Sequence, residues 1–214
     1  MKKILICLLA VVLLTGCVNI NKVSVDKVIS MSIKNKHNLT NENNRGFKYY
    51  LPREVSVVEH DSFNVVFKNK SYNYYMYVDL VSYFYKEKPT FEVDKKIYYS
   101  KLIDNKDQKG IVNIYKSTIE DGSYLIKVSY NYGSISAIVK EKDINDSLSN
   151  MLIILSSIKY NDNVVKKVLE NNLIDSTEEQ VSVFKIESKA FDTLDVDDTY
   201  TGEDDEDYDP DVIN

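Results

Sequence analysis

The sequence has little of the chemistry on which small disulfide-bonded, metal-binding and nucleotide-dependent proteins rely. Its 214 residues include two cysteines, two histidines and no tryptophan. Two cysteines are too few for a disulfide scaffold or a four-cysteine zinc site. With six glycines and three prolines, the chain is neither collagen-like nor a Pro/Gly-rich low-complexity chain. An apolar fraction of 43% is enough for one sizeable core.

The sequence also lacks the motifs of common enzymes. P-loop, G-x-G-x-x-G, H-E-x-x-H and G-x-S-x-G patterns do not occur. His37 and His60 lie in predicted loops, and neither has a Cys or a second His nearby. Ser62 and Ser123 sit beside acids in predicted turns, where turn chemistry accounts for them. We therefore expect no cofactor, no metal site and no catalytic group.

The charge is divided unevenly along the chain. Residues 192–214 contain eleven acids and no Lys, Arg or His, so this segment has a charge of −11. The formal net charge of the whole chain is −6. Residues 17–191 carry +3. The acidic balance argues against a nucleic-acid partner, because such proteins need clustered positive charge. Beyond Phe191 the sequence has too little apolar surface to offset its ordering entropy, so we predict a disordered acidic tail.

The N-terminus has the pattern of a targeting segment. Lys2 and Lys3 precede an apolar run of eleven residues, 4–14. At about 1.5 Å per residue, a helix of this length cannot cross a hydrocarbon core of about 30 Å. The run does match the apolar region of a signal peptide. The alternatives are an ordinary secretory signal with a chance cysteine, or a short core helix.

The residues that follow the apolar run are Leu14, Thr15, Gly16 and Cys17, an aliphatic residue, two small residues and a cysteine. They resemble the lipobox of bacterial lipoproteins. The resemblance implies cleavage before Cys17, a diacylglycerol thioether on its sulfur and, often, a further acyl chain such as palmitate on its amino group. It also implies that the mature protein is held at the extracytoplasmic face of the cell membrane.

Hydrophobic periodicity divides the rest of the chain. We predict a signal peptide at residues 1–16, a lipidated tether with a short helix at 17–45, an α+β extracytoplasmic domain at 46–191 and the tail at 192–214. Strand-like enrichment in aromatic and β-branched residues runs from 47 to 139. Helical spacing predicts helices at 143–158 and 162–171, and residues 180–186 predict one more strand. Residues 36–46 predict a loop, and 97–103 fit either a strand or a helix.

A block of strands followed by helices predicts an α+β fold, an antiparallel sheet packed against one or two helices. The order also resembles the PsbP-type fold, over residues 46–160. The similarity lies in the strand that ends at Tyr49-Tyr50-Leu51-Pro52 and in the helix from Asp143 that is followed by Ser156-Ser157-Ile158-Lys159. This resemblance implies an accessory binding protein rather than an enzyme.

A tyrosine-rich stretch at 72–85 offers a candidate recognition surface. If it is one unbroken strand, alternate residues share a face. Tyr75, Tyr77, Tyr83 and Tyr85 then lie on one side, with Tyr72 and Tyr74 on the other. Exposed tyrosines suit contact with an envelope glycan or protein. The alternative is that they are packing residues of a half-buried sheet.

Three functions follow from these observations. The leading hypothesis is a membrane-anchored lipoprotein that acts as a non-enzymatic binding or accessory module. The second is an envelope-acting hydrolase that uses Asp79 or the Glu54 and Glu59 pair. The third is a solute-binding component of a transporter, against which the chain length and the lack of alternating strands and helices argue.

Overall fold

The computed structural model describes residues 20–34, 38–61, 63–105, 108–117 and 120–170. These residues form antiparallel sheets packed against helices, so the predicted α+β fold class is confirmed. The signal peptide, the lipobox with Cys17, the strand predicted at 180–186 and the acidic tail lie outside the described residues.

The described part of the chain contains four α-helices and ten strands. The helices are α1 (Val25–Lys34), α2 (Leu80–Tyr85), α3 (Ile144–Ser157) and α4 (Asp162–Glu170). The strands are β1 (Glu42–Asn44), β2 (Phe47–Tyr49), β3 (Val55–His60), β4 (Asn64–Asn69), β5 (Tyr72–Val78), β6 (Tyr99–Asn105), β7 (Gln108–Lys116), β8 (Ser123–Tyr130), β9 (Gly133–Lys140) and β10 (Lys159–Tyr160). Short 3₁₀ turns at Ile20–Lys22 and Glu141–Asp143 precede α1 and α3.

Seven strands form the main sheet, in the order β3-β4-β5-β9-β8-β7-β6. All neighbouring strands in it are antiparallel. A small sheet of order β1-β2-β10 lies beside it. The turn between β8 and β9 places Asn131 and Tyr132 at φ values of 54° and 59°. Two successive positive φ angles match the twist of a tight hairpin.

Helices α1 and α3 cover one side of the main sheet. The inward face of α3 follows helical spacing, and Leu148, Met151, Leu152 and Leu155 are each 0% exposed. They pack against alternate strand residues such as Val128 in one continuous core. Full burial of each such side chain contributes about 1.5–3 kcal/mol, so this layer is the main source of stability.

Helix α1 belongs to that core rather than to a tether. Val28, Ile29 and Ile33 are buried in the same cluster as the sheet, and α1 packs on α3. Ser24 accepts a hydrogen bond from Lys27 N at 3.3 Å, the contact that an N-cap serine makes. The folded domain therefore begins before residue 46.

Three local predictions change. The predicted loop at 36–46 contains β1, which pairs with β2 across a turn where Gly46 has a φ of 88°. The ambiguous stretch at 97–103 is a strand, since β6 pairs with β7. The tyrosine-rich stretch is not one strand, because β5 ends at Val78 and helix α2 follows.

Candidate functional site

The side of the main sheet opposite α1 and α3 carries polar and aromatic residues. We call this side, at strands β5, β9, β8 and β7, the outer face. Strand pairing aligns its residues in rows across the sheet. One row is Tyr77, Ser134, Ser129 and Ile111, and the next is Tyr75, Ser136, Lys127 and Asn113. Helices cover the other side, while on this side Ile111 and Leu125 are only 7% and 1% exposed, so part of the outer face is itself covered and the rest remains for a partner.

The outer face has lysines but no carboxylates at the outward positions of these four strands. Lys109, Lys127 and Lys140 are its charged residues. The ammonium group of Lys127 lies 5.7 Å from the centre of the Tyr115 ring. Lys140 pairs with Glu120 from the β7–β8 connection, so its charge is locally balanced.

A buried hydroxyl lies in the middle of this surface. Ser136 is 3% exposed, and its cross-strand neighbours are Tyr75 and Lys127. Within the described residues its Oγ has no hydrogen-bond partner. A buried hydroxyl without a protein partner is costly, so Ser136 is a destabilising position in this sheet.

A cleft of about 140 Å³ opens at one end of the outer face. We call it the Tyr77 cleft. Its walls come from the ends of β5, β8 and β9, from the start of α2 and from the segment at 86–98. The side chains that line it include Tyr77, Asp79, Ser82, Pro89, Phe91, Lys109, Ser129, Tyr132 and Ser134.

A second cleft of about 260 Å³ shares Pro89, Phe91 and Lys109 with the first. It also contacts Leu102 and Asp104 of β6, and we call it the Leu102 cleft. The two clefts are therefore neighbours, separated by a wall that these three residues form.

The predicted four-tyrosine face is wrong in half of its members. Tyr75 and Tyr77 do share the outer face, and Tyr72 and Tyr74 lie on the opposite side, as predicted. Tyr83 and Tyr85 lie instead on α2. The Asp79 carboxylate caps that helix, accepting from Ser82 N at 2.9 Å and from Ser82 Oγ at 2.7 Å.

Tyr83 belongs to a structural aromatic cluster. Its ring stacks on Tyr160 with centroids 3.8 Å apart, and its hydroxyl donates to Asp162 at 2.6 Å. Tyr132 meets the same ring edge-on. Burial, together with the Asp162 carboxylate, raises the pKa of Tyr83 to about 12. This cluster joins α2, α4, β10 and the β8–β9 turn, and so fixes one wall of the Tyr77 cleft.

The acids proposed for hydrolysis are not gathered into a catalytic pair. Asp79 is engaged in capping α2, while Glu54 and Glu59 are exposed at the edge strand β3 or just before it. His60 is also exposed on β3, and His37 lies outside the described residues. Among the residues that the structure describes, no group of three or more His, Cys, Asp or Glu could hold a metal ion.

Comparisons with known proteins identify no family. No family model matches the chain, and no curated protein matches it. A solved structure of a GTP binding regulator from Thermotoga maritima is similar at 10% identity, over 65% of this chain and 93% of that one. Its TM-score is 0.25, so the likeness carries no argument about fold or function. No helix among the described residues has the length and apolarity to span a membrane.

Proposed function

We propose that the protein is a membrane-anchored extracytoplasmic lipoprotein that acts as a non-enzymatic binding module. In this proposal, lipid on Cys17 fixes its location and the outer face recognises its partner. The observation that carries the proposal is a sheet with one helix-covered side and one polar, aromatic side that contains clefts. The lipobox residues Leu14, Thr15, Gly16 and Cys17 support the location.

The position of the first described residues fits an anchor at Cys17. The carbonyl of Ile20 accepts a hydrogen bond from Asn145 Nδ2 of α3 at 3.0 Å. Ile20 and Val23 pack against the core. Three residues of chain span at most about 10 Å, so a lipid on Cys17 would keep the start of α3 close to the bilayer.

The anchor would be strong on simple energetic grounds. Each buried CH₂ of an acyl chain contributes about 0.8 kcal/mol, and a lipidated cysteine carries at least two long chains. Two chains give stable attachment where a single one gives only marginal, reversible binding. The domain therefore needs no membrane-spanning helix to remain at the surface.

The chemistry of the outer face suits recognition rather than catalysis. Tyrosine side chains offer rigid apolar rings with a polar end, and serine and asparagine offer adaptable hydrogen bonds. Tyr75, Tyr77 and Ser134 supply these groups on the adjacent strands β5 and β9, and Asn113 supplies an amide in the same row as Tyr75 on β7. An envelope protein or a glycan is the class of partner that such a surface fits.

The test is photocrosslinking in the native cell with the membrane-anchored protein. A photoreactive amino acid replaces Tyr75 on the outer face, and a matched control replaces Asn163, an exposed residue on α4. We expect a discrete adduct from the Tyr75 position that the Asn163 position does not give. The adduct should weaken when Lys127→Glu is added, because that change reverses a charge on the same face, two strands from Tyr75, without altering the core.

The same adducts from both positions, or none from position 75, would contradict the binding role. A membrane fraction that lacks the protein would contradict the anchor instead. The two parts of the proposal are thus tested separately.

A further inference from the structure

We propose that the Tyr77 cleft binds one ring of a neutral, unbranched glycan, whose next ring occupies the Leu102 cleft. This inference rests on the proposed function only in taking the outer face as the recognition surface. It names the chemistry of the partner that the face receives.

The size of the Tyr77 cleft limits its occupant. Pockets that enclose a whole drug-sized ligand have volumes of about 300–1,000 Å³. At about 140 Å³, this cleft is too small for a nucleotide or for a cofactor as large as a nucleotide. It can hold a single six-membered ring. Since the Leu102 cleft shares Pro89, Phe91 and Lys109 with it, the next ring of the same chain has a neighbouring cleft to occupy.

The walls of the cleft suit the two kinds of surface on a sugar ring. Tyr77, Phe91 and Tyr132 supply aromatic surface for the C–H face of a ring. Tyr132 is held in place by edge-on contact with Tyr83, at a centroid distance of 5.5 Å. A wall that is already fixed loses little conformational freedom when a ligand binds.

The polar groups of the cleft match the hydroxyls of a sugar. The hydroxyls of Ser129 and Ser134 are 2.8 Å apart, and each retains capacity for a further hydrogen bond. The Asp79 carboxylate accepts two bonds from Ser82 and has lone pairs left for ligand hydroxyls. The cleft therefore offers both donors and acceptors at short range.

The charge of the cleft favours a neutral ligand. Asp79 and Lys109 are the carboxylate and the ammonium group that line it, and their formal charges cancel. Lys109 forms no ion pair within the described part of the chain, so its ammonium can donate to a ligand oxygen. A free amino acid also matches one charge of each sign, but it would leave the shared wall and the Leu102 cleft unused.

The experiment uses the mature chain with Cys17→Ser and saturation-transfer NMR. The probes are neutral linear tetrasaccharides, their monosaccharides, and glycan fragments released enzymatically from the envelope of the source cells. We expect transfer to ring C–H protons of at least one oligosaccharide, and affinity for the matching monosaccharide at least tenfold weaker. Tyr77→Ala should weaken binding at least tenfold, while Tyr77→Phe should change it less than threefold.

Tyr85→Ala is the matched control, since Tyr85 is an exposed tyrosine on α2 that lines neither cleft. It should bind as the parent does. Equal losses in Tyr77→Ala and Tyr85→Ala would overturn the proposal, as would the absence of transfer to every probe. Tighter binding of free glycine or alanine at the cleft would show an amino-acid site instead. If the glycan test fails while photocrosslinking at position 75 captures a protein, the inference is wrong and the binding function stands.

Discussion

Asn131 is expected to hold the β8–β9 turn, and with it the Tyr77 cleft, against the end of α3. It is 6% exposed and has a φ of 54°. Its Nδ2 donates to Leu155 O at 3.2 Å and to Ile158 O at 3.0 Å. Its Oδ1 accepts from Gln108 Nε2 at 2.7 Å. One side chain therefore ties the turn to the helix and to β7.

The cost of replacing Asn131 follows from these contacts. Each lost hydrogen bond is worth about 1 kcal/mol net, so three lost bonds remove about 3 kcal/mol. Alanine also has to adopt a left-handed backbone, which costs about 1–2 kcal/mol. Asn131→Ala should therefore lower the free energy of unfolding by about 4–5 kcal/mol. Asn131→Gly should be less harmful by about 1 kcal/mol, because glycine accepts a positive φ.

Urea denaturation followed by circular dichroism measures both variants against the parent. The midpoint should fall in both, and further in Asn131→Ala. Losses below about 1 kcal/mol, or equal losses in the two variants, would contradict this role of Asn131. The first result would mean that the side-chain bonds do not hold the turn, and the second that the backbone angle is not restrictive.

The remaining predictions concern pH, close packing and the core. Burial and the Asp162 carboxylate raise the pKa of Tyr83 to about 12. The contribution of Tyr83 to stability is therefore fully present below pH about 10, the ordinary tyrosine pKa, and is lost as the pH rises through 12. Thermal melts from pH 9 to 12 should therefore show a shallower decline in Tyr83→Phe. Gly110→Ala should prevent recovery of folded protein in a solubility assay, because the added Cβ would lie 2.4 Å from the Ser129 carbonyl oxygen. Leu148→Ala, at 0% exposure, should cost about 2–5 kcal/mol in urea denaturation.

Hydrophobic periodicity predicted the helices and strands that bury one side and expose the other. In α3, apolar residues recur at helical spacing, and the structure buries Leu148, Met151 and Leu155 together. At Asn131, Tyr132 and Gly133, polar and glycine residues interrupt two strand-like runs, and the structure has the β8–β9 turn there. In both cases the local preference and the tertiary packing favour the same structure, so the sequence alone is sufficient to predict the helix and the turn.

The start of α2 was missed because two signals compete there. Val78, Tyr83 and Tyr85 have the composition of a strand. Asp79 followed by Ser82 is a helix-capping arrangement, and the structure follows the cap. The Asp79 carboxylate accepts a hydrogen bond from the Ser82 N–H in the first turn of α2. Because α2 has only 6 residues, this cap is enough to outweigh the β-propensity of the short aromatic segment.

The clefts could not be predicted from local patterns. Tyr77 and Ser129 are brought together by the register of β5, β9 and β8. Phe91 reaches the same place only because the segment at 86–98 lies against the sheet. Such a site depends on long-range pairing, which leaves no periodic signal in the sequence. Residues 14–17 are different, because their resemblance to a lipobox lies in four contiguous residues and does not depend on any long-range contact.

The most direct test of a lipid-anchored binding module is mass spectrometry of the N-terminal peptide of the protein purified from membranes. We expect the mature chain to begin at Cys17 and to carry a diacylglyceryl group on the cysteine sulfur. Cys17→Ser should abolish the modification and release the protein from the membrane fraction. A mature chain that begins elsewhere, or an unmodified Cys17 in membrane-bound protein, would contradict this expectation.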